Sequence, residues 1–146
     1  MFKKWNLLAL ALSALMLAPT LASAEAPRPP IAEKVQAYSG PQGVQVWTLR
    51  IGERSANEAL VQVTGIDHDW DKRIQKMTVE KTFKDVRYST LVNGKPYIAL
   101  IINQGYGELY LPGESKSVNI QDDDDLAAEG NAEYFLTDYL QQSDSK

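Results

Sequence analysis

Five consecutive residues, Asp67-His68-Asp69-Trp70-Asp71, form the densest chemical cluster in the chain. Carboxylates at alternate positions of a loop can curl around a hard cation and present several oxygens together, which is the first half of a calcium loop's logic. The match is partial. The sixth loop position, where glycine is expected, is Lys72, whose ammonium competes with a cation. The twelfth, where a bidentate glutamate is expected, is Thr78, and Glu80 lies too far along. Two expectations follow. Either calcium orders the loop through Asp67, Asp69 and Asp71, or the aspartates cap turn amides in a polar connection between strands. No other cofactor is expected.

His68 is the only histidine, so neither a metal site of several imidazoles nor a triad with a second one is available within one chain. A small hydrolase using His68 and a neighbouring carboxylate would need an activated serine, and none sits in a Gly-x-Ser-x-Gly setting. Trp70 reads either as a lid over the core or as a stacking platform for a sugar or an apolar partner. In Gln104-Gly105-Tyr106-Gly107-Glu108-Leu109-Tyr110 the two glycines permit close approach of a ligand and the tyrosines suit an interface, although a β-turn also explains the glycines. The candidate binding residues are therefore His68, Trp70, Tyr106 and Tyr110, and no residue is assigned a catalytic role. Neither Gly-Lys-Ser nor Gly-x-Gly-x-x-Gly occurs, so no phosphate loop is present.

The elements that must carry these residues read mostly as strands. Val44 to Ile51, Ala59 to Ile66, and Arg73 to Phe83 are rich in residues that fit a pleated sheet. In the third, Met77, Val79 and Phe83 share one face. Val86 to Val92 and Lys95 to Ile102 flank Asn93-Gly94, the preferred two-residue hairpin turn because both residues accept φ > 0. Tyr97 to Ile102 is apolar on both faces, which predicts the most buried strand, and Trp47 is expected to face the core. Gly105-Tyr106-Gly107 turns the chain into Glu108 to Leu111, and Ser117 to Ile120 is the last strand. Asp122 to Asp125 reads as a solvated linker, and 131–142 as one helix, with Asn131 as N-cap and a Phe135, Leu136, Tyr139, Leu140 stripe. Residues 143–146 should fray. The predicted fold is mainly β, a small antiparallel sandwich or open barrel of about six or seven strands with one C-terminal helix.

The N-terminus has a different character. Lys3 and Lys4 precede an apolar run from Leu7 to Leu17, Pro19 breaks it, and Ala22 and Ala24 stand where a signal peptidase reads small residues. Residues 1–24 are thus expected to be a cleaved signal peptide, and 25–43 a Pro-rich tether and lead-in to a single domain over 44–142. The apolar run is shorter than the ~20 residues a spanning helix needs, and no second apolar span follows. The chain has no cysteine, which removes disulfides, thiolate chemistry and an acylated anchor. Loss of two signal-peptide lysines shifts the net charge from −4 to −6, and so acidic a domain is a poor match for nucleic acid or anionic lipid. The leading expectation is an exported, periplasmic or secreted, non-enzymatic domain without a stable membrane anchor that binds another cell-envelope protein.

Overall fold

The structure is a computed structural model that describes residues 28–144; the signal-peptide reading of residues 1–24 lies outside them. Eight strands follow one another, each antiparallel to the next: β1 (Gln36–Ser39), β2 (Gln45–Ile51), β3 (Glu58–Thr64), β4 (Ile74–Lys81), β5 (Val86–Val92), β6 (Lys95–Asn103), β7 (Tyr106–Leu109) and β8 (Val118–Asp122). Pairing of Tyr38 with Asp122 and of Ser39 with Gln121 joins the first strand to the last, and the sheet closes into a barrel. Two helices follow, α1 (Asp124–Glu129) and α2 (Ala132–Asp144). The expected mainly β, antiparallel character with a C-terminal helix is present, but the strands number eight and neither a sandwich nor an open barrel forms. No helix among the described residues is long and apolar enough to cross a membrane.

The strand that sequence reading missed is β1. It lies inside 25–43, expected to be a Pro-rich tether and lead-in. Gln36-Ala37-Tyr38-Ser39 has one strong β-former, so its strand state comes from partners on both sides, β2 and β8. Contacts with the sheet extend to residues before β1. Gly52 donates its N–H to the Pro30 carbonyl at 2.7 Å and Ala32 to that of Arg50 at 3.0 Å, so the lead-in from residue 30 is stitched to β2 and belongs to the domain.

Alternation along β2–β4 sorts side chains into two cores. Val46, Ala59, Val61, Val63, Met77 and Val79 point into the barrel, while Leu49, Ile51, Leu60 and Ile74 point outward beneath Phe135 and Leu136 of α2. Trp47 belongs to this outer set and not to the barrel interior, a correction to its expected orientation. An eight-stranded barrel has an interior that side chains can fill, and here Tyr38, Tyr88, Leu100, Leu109 and Ile120 complete the filling.

Strand β6 is not the most buried strand, despite being apolar on both faces. Ile98 is 39% exposed, because α2 lies over β2–β4 and leaves the outside of β6 bare. Its alternation is also broken by a bulge. Tyr88 pairs with Leu100 and Ser89 with Ile98, so Ala99 is the extra residue and is buried beside Leu100. Phe83 likewise leaves its expected face, since β4 ends at Lys81.

Turn chemistry fits the residues. Asn93 and Gly94 have φ of 53° and 77°, and Gln104 and Gly105 repeat the arrangement at 49° and 85°, so the β6–β7 turn precedes Tyr106 and does not run through it. The aspartate block is no open linker. Asp122 ends β8, Asp123 accepts the Leu126 N–H at 3.0 Å as the N-cap of α1, and Asp124 and Asp125 occupy its first turn, where negative charge is favourable. Asn131 caps α2 through the Tyr134 N–H at 3.0 Å, as expected. Near the end of α2, the Gln142 side-chain amide accepts from the Ile74 N–H at 2.9 Å and donates to the Ile74 carbonyl at 2.8 Å. That side chain takes the place a neighbouring strand would have, because β5 pairs only with Thr78–Lys81 of β4.

Inside the barrel the buried hydroxyl of Thr48 lies among the tyrosines. Burial raises the pKa of both Tyr38 and Tyr88, partly offset by hydrogen bonding to Thr48. Both phenols are thus held neutral when folded, whereas an unfolded chain ionises them near pH ~10. Their contribution to stability is full below that pH and is lost as pH rises toward the folded values, by up to about 1.4 kcal/mol per pH unit for each tyrosine. Urea melts between pH 8 and pH ~12 should show this alkaline loss, and Tyr88→Phe should reduce its slope.

Candidate functional site

The Asp67–Asp71 segment closes one end of the barrel between β3 and β4. Trp70 is 7% exposed and joins the interior core, with its ring edge-on to Tyr97 at a centroid separation of 6.2 Å and to His68 at 5.7 Å. It is a lid over the core, not an exposed stacking platform. The Trp70 N–H can only donate, and it lies 3.1 Å from His68 Nδ1; the Pro112 carbonyl can only accept, and it lies 2.8 Å from Nε2. The imidazole is therefore the Nε2–H tautomer, and it ties the β3–β4 loop to the β7–β8 loop. With both nitrogens engaged by main chain, His68 has no nitrogen free to serve as a general base in this conformation.

The three aspartates do not converge. Asp71 Oδ1 accepts the N–H groups of Gly65 at 2.9 Å and Ile66 at 3.4 Å, while Asp67 and Asp69 are exposed. Among the described residues no three His, Cys, Asp or Glu side chains gather at metal-binding separation. The backbone nonetheless makes the sharp turn a calcium loop would need: Lys72 has φ of 66° at the position where glycine was expected, and its N–H bonds the Val63 carbonyl at 2.8 Å. The turn is stabilised by Asp71 and by glycine at 65, where φ is +78° and a Cβ would run into the Gly43 carbonyl. Asp71→Ala should therefore lower stability by about 1–2 kcal/mol by stripping two loop amides of their acceptor, and Asp67→Asn or Asp69→Asn should change it by less than about 0.5 kcal/mol. Thermal melts of the three variants, each with calcium and with chelator, check this; a calcium-dependent rise abolished by Asp69→Asn would restore the cation loop.

A second region lies on the barrel wall away from α2. Cross-strand pairing places Ile101, Glu108 and Asn119 in one outward row and Asn103, Tyr106 and Gln121 in the next. These residues and Ser39 line a broad open groove of about 910 Å³. Tyr106 is 69% exposed beside it. Tyr110 donates its hydroxyl to the Glu108 carboxylate, and that bond, with the adjacent negative charge, raises the phenol's pKa. Further along the same wall Leu91 is 69% exposed, opposite Pro96 and diagonal to Ile98. Of the expected binding residues, the wall gathers Tyr106 and Tyr110, whereas His68 and Trp70 belong to the barrel end.

Sequence reading missed Leu91, Ile98 and Phe83 as surface residues. Phe83 is 95% exposed at the tip of the β4–β5 loop. The available signal was Thr82 and Asp85 bracketing it, a pair of residue types that close turns. No protein-family model matches the chain, and no curated protein and no solved structure matches it either.

Proposed function

We propose that this chain is an exported, non-enzymatic binding domain, released by cleavage after Ala24, that acts on another cell-envelope protein through the β5–β8 wall. The observation that supports this most is the one-sided placement of α2. The helix buries the outer apolar residues of β2–β4, while Leu91, Ile98 and Tyr106 on the other wall stay exposed, Tyr106 lining an open polar groove. Exposed apolar and tyrosine side chains on one wall, among polar ones, are the composition of a protein-binding surface. Crosslinked pull-downs from envelope extract test the reading. The unsubstituted chain should recover one dominant protein, and Leu91→Asp and Tyr106→Ala should each lose it while melting normally. Equal recovery by all three would reject the wall as the binding surface.

A further inference from the structure

Phe83 stands out among exposed residues because the loop that presents it is locked. Thr82 Oγ1 accepts the N–H groups of Lys84 at 3.1 Å and Asp85 at 3.0 Å, and donates to Asp85 Oδ1 at 2.8 Å. The Thr82 N–H bonds the Asp85 carbonyl at 2.9 Å, and Arg87 Nε holds Asp85 Oδ1 at 3.1 Å. The Thr82 hydroxyl, together with Arg87, holds the Asp85 carboxyl below the usual carboxylate range, so these contacts persist at neutral pH. Four residues thus fix the loop without using the phenyl ring. A ring that takes no part in these bonds and is 95% exposed is available to another molecule.

We infer that the β4–β5 tip is the anchor of the proposed interface, with Phe83 entering an apolar pocket of the partner protein whose rim is acidic. The acidic rim follows from the charges around the ring. Lys84 Nζ lies 5.6 Å from the ring centroid, Lys81 is exposed on the other side of the tip, and Asp85 is neutralised by Arg87. Glu80 is the one exposed acid on the adjoining end of β4. The tip is therefore a cationic island on an acidic chain, suited to an anionic rim. A lipid surface would also receive an aromatic between lysines, but it has no shape for a rigid loop to match, and the remaining acidic charge opposes approach to anionic lipid. A pocket rewards rigidity, because a preordered loop loses little freedom on binding. Asp85 also lines the groove of the wall, so tip and wall form one continuous surface.

This inference rests on the wall reading, and its test separates the two. Phe83 is replaced by p-benzoyl-phenylalanine in the full chain within the cells that make it, and the adduct formed on irradiation is digested and sequenced. A single protein adduct is expected, its crosslinked peptide apolar with flanking Asp or Glu, and the same probe at Tyr134, exposed on α2 away from the wall, should give none. Purified unsubstituted chain should compete the adduct away in extract. Phe83→Ala should need about thirtyfold more protein or higher, as for a buried aromatic anchor. Thr82→Ala should need several-fold more, and Thr82→Ser, which keeps the hydroxyl, should compete normally. Adducts to lipid alone, with Phe83-dependent pelleting on phosphatidylglycerol vesicles, would replace the protein pocket by a membrane. No adduct, or competition by Phe83→Ala equal to the unsubstituted chain, would overturn the anchor. If Leu91→Asp abolishes the pull-down while position 83 yields no adduct, the wall reading stands and the anchor falls; if the adduct is indifferent to Leu91→Asp, the anchor stands and the wall falls.

Discussion

Trp70→Ala should lower the unfolding free energy by about 3–5 kcal/mol, as large aromatic-to-alanine changes in packed cores do. Trp70 is buried at the β3–β4 end of the barrel among residues of the inner core, and its ring is edge-on to Tyr97. Removing it takes away a large apolar area and leaves a void that the closed sheet cannot shrink to fill, because strand spacing is set by its hydrogen bonds. The main-chain bond from the Trp70 N–H to His68 survives the change, so the effect isolates packing from loop geometry. Urea denaturation should show a lower midpoint at an unchanged slope. Trp70→Phe should retain much of the lost stability. A midpoint shift worth less than about 1 kcal/mol would mean that the ring is not seated in the core.

Leu136→Ala should cost about 2–5 kcal/mol, and the loss should be felt unevenly. Leu136, on α2, is 1% exposed in the same core as Leu49, Leu60 and Ile74. Among the described residues, the helix and the lead-in around Val35 cover these outward residues of β2–β4. Loosening α2 also loosens the Gln142 amide from Ile74, which unpins the part of β4 that β5 does not pair. Hydrogen exchange should therefore accelerate first in α2 and in the Ile74 amide, with amides of β6–β8 less affected. Against a total of about 5–15 kcal/mol for a domain, either substitution alone brings the protein near its unfolding threshold. Uniform acceleration across all strands would show that the outer and inner cores melt as a single unit.

Much of the strand pattern was legible because its signals are local. Val86–Val92 and the start of β6 were read to the residue, since Asn93-Gly94 sets both turn and register. The α2 stripe and its Asn131 cap were legible for the same reason. Other errors share a cause. Trp47 and Phe83 take their expected faces from alternation alone, and Ile98 its expected burial from a strand apolar on both faces. Alternation says which residues share a side; it does not say which side is covered. Burial of Trp47 on the outside and exposure of Ile98 both depend on where α2 settles, tens of residues away in sequence. The candidate site divided along the same line. The aspartates at 67, 69 and 71 have ligand spacing, yet Asp71 bonds to its own loop's amides, a choice made by the backbone turn and not by spacing.

The chain's sequence alone determined its antiparallel β character, the Asn-Gly hairpin, the capped C-terminal helix, the absence of cysteine chemistry and the single imidazole. Each of these is a property of residue type or of neighbours a few positions apart. Long-range packing settles that β1 closes the sheet with β8, that His68 and Trp70 lock a barrel end, and that Leu91, Ile98 and Tyr106 stay exposed on strands that α2 does not cover. Those outcomes depend on which surfaces compete for one helix and on which unpaired strand edges meet. Such competition is resolved by burial and hydrogen bonding across the whole molecule, and no local pattern records it.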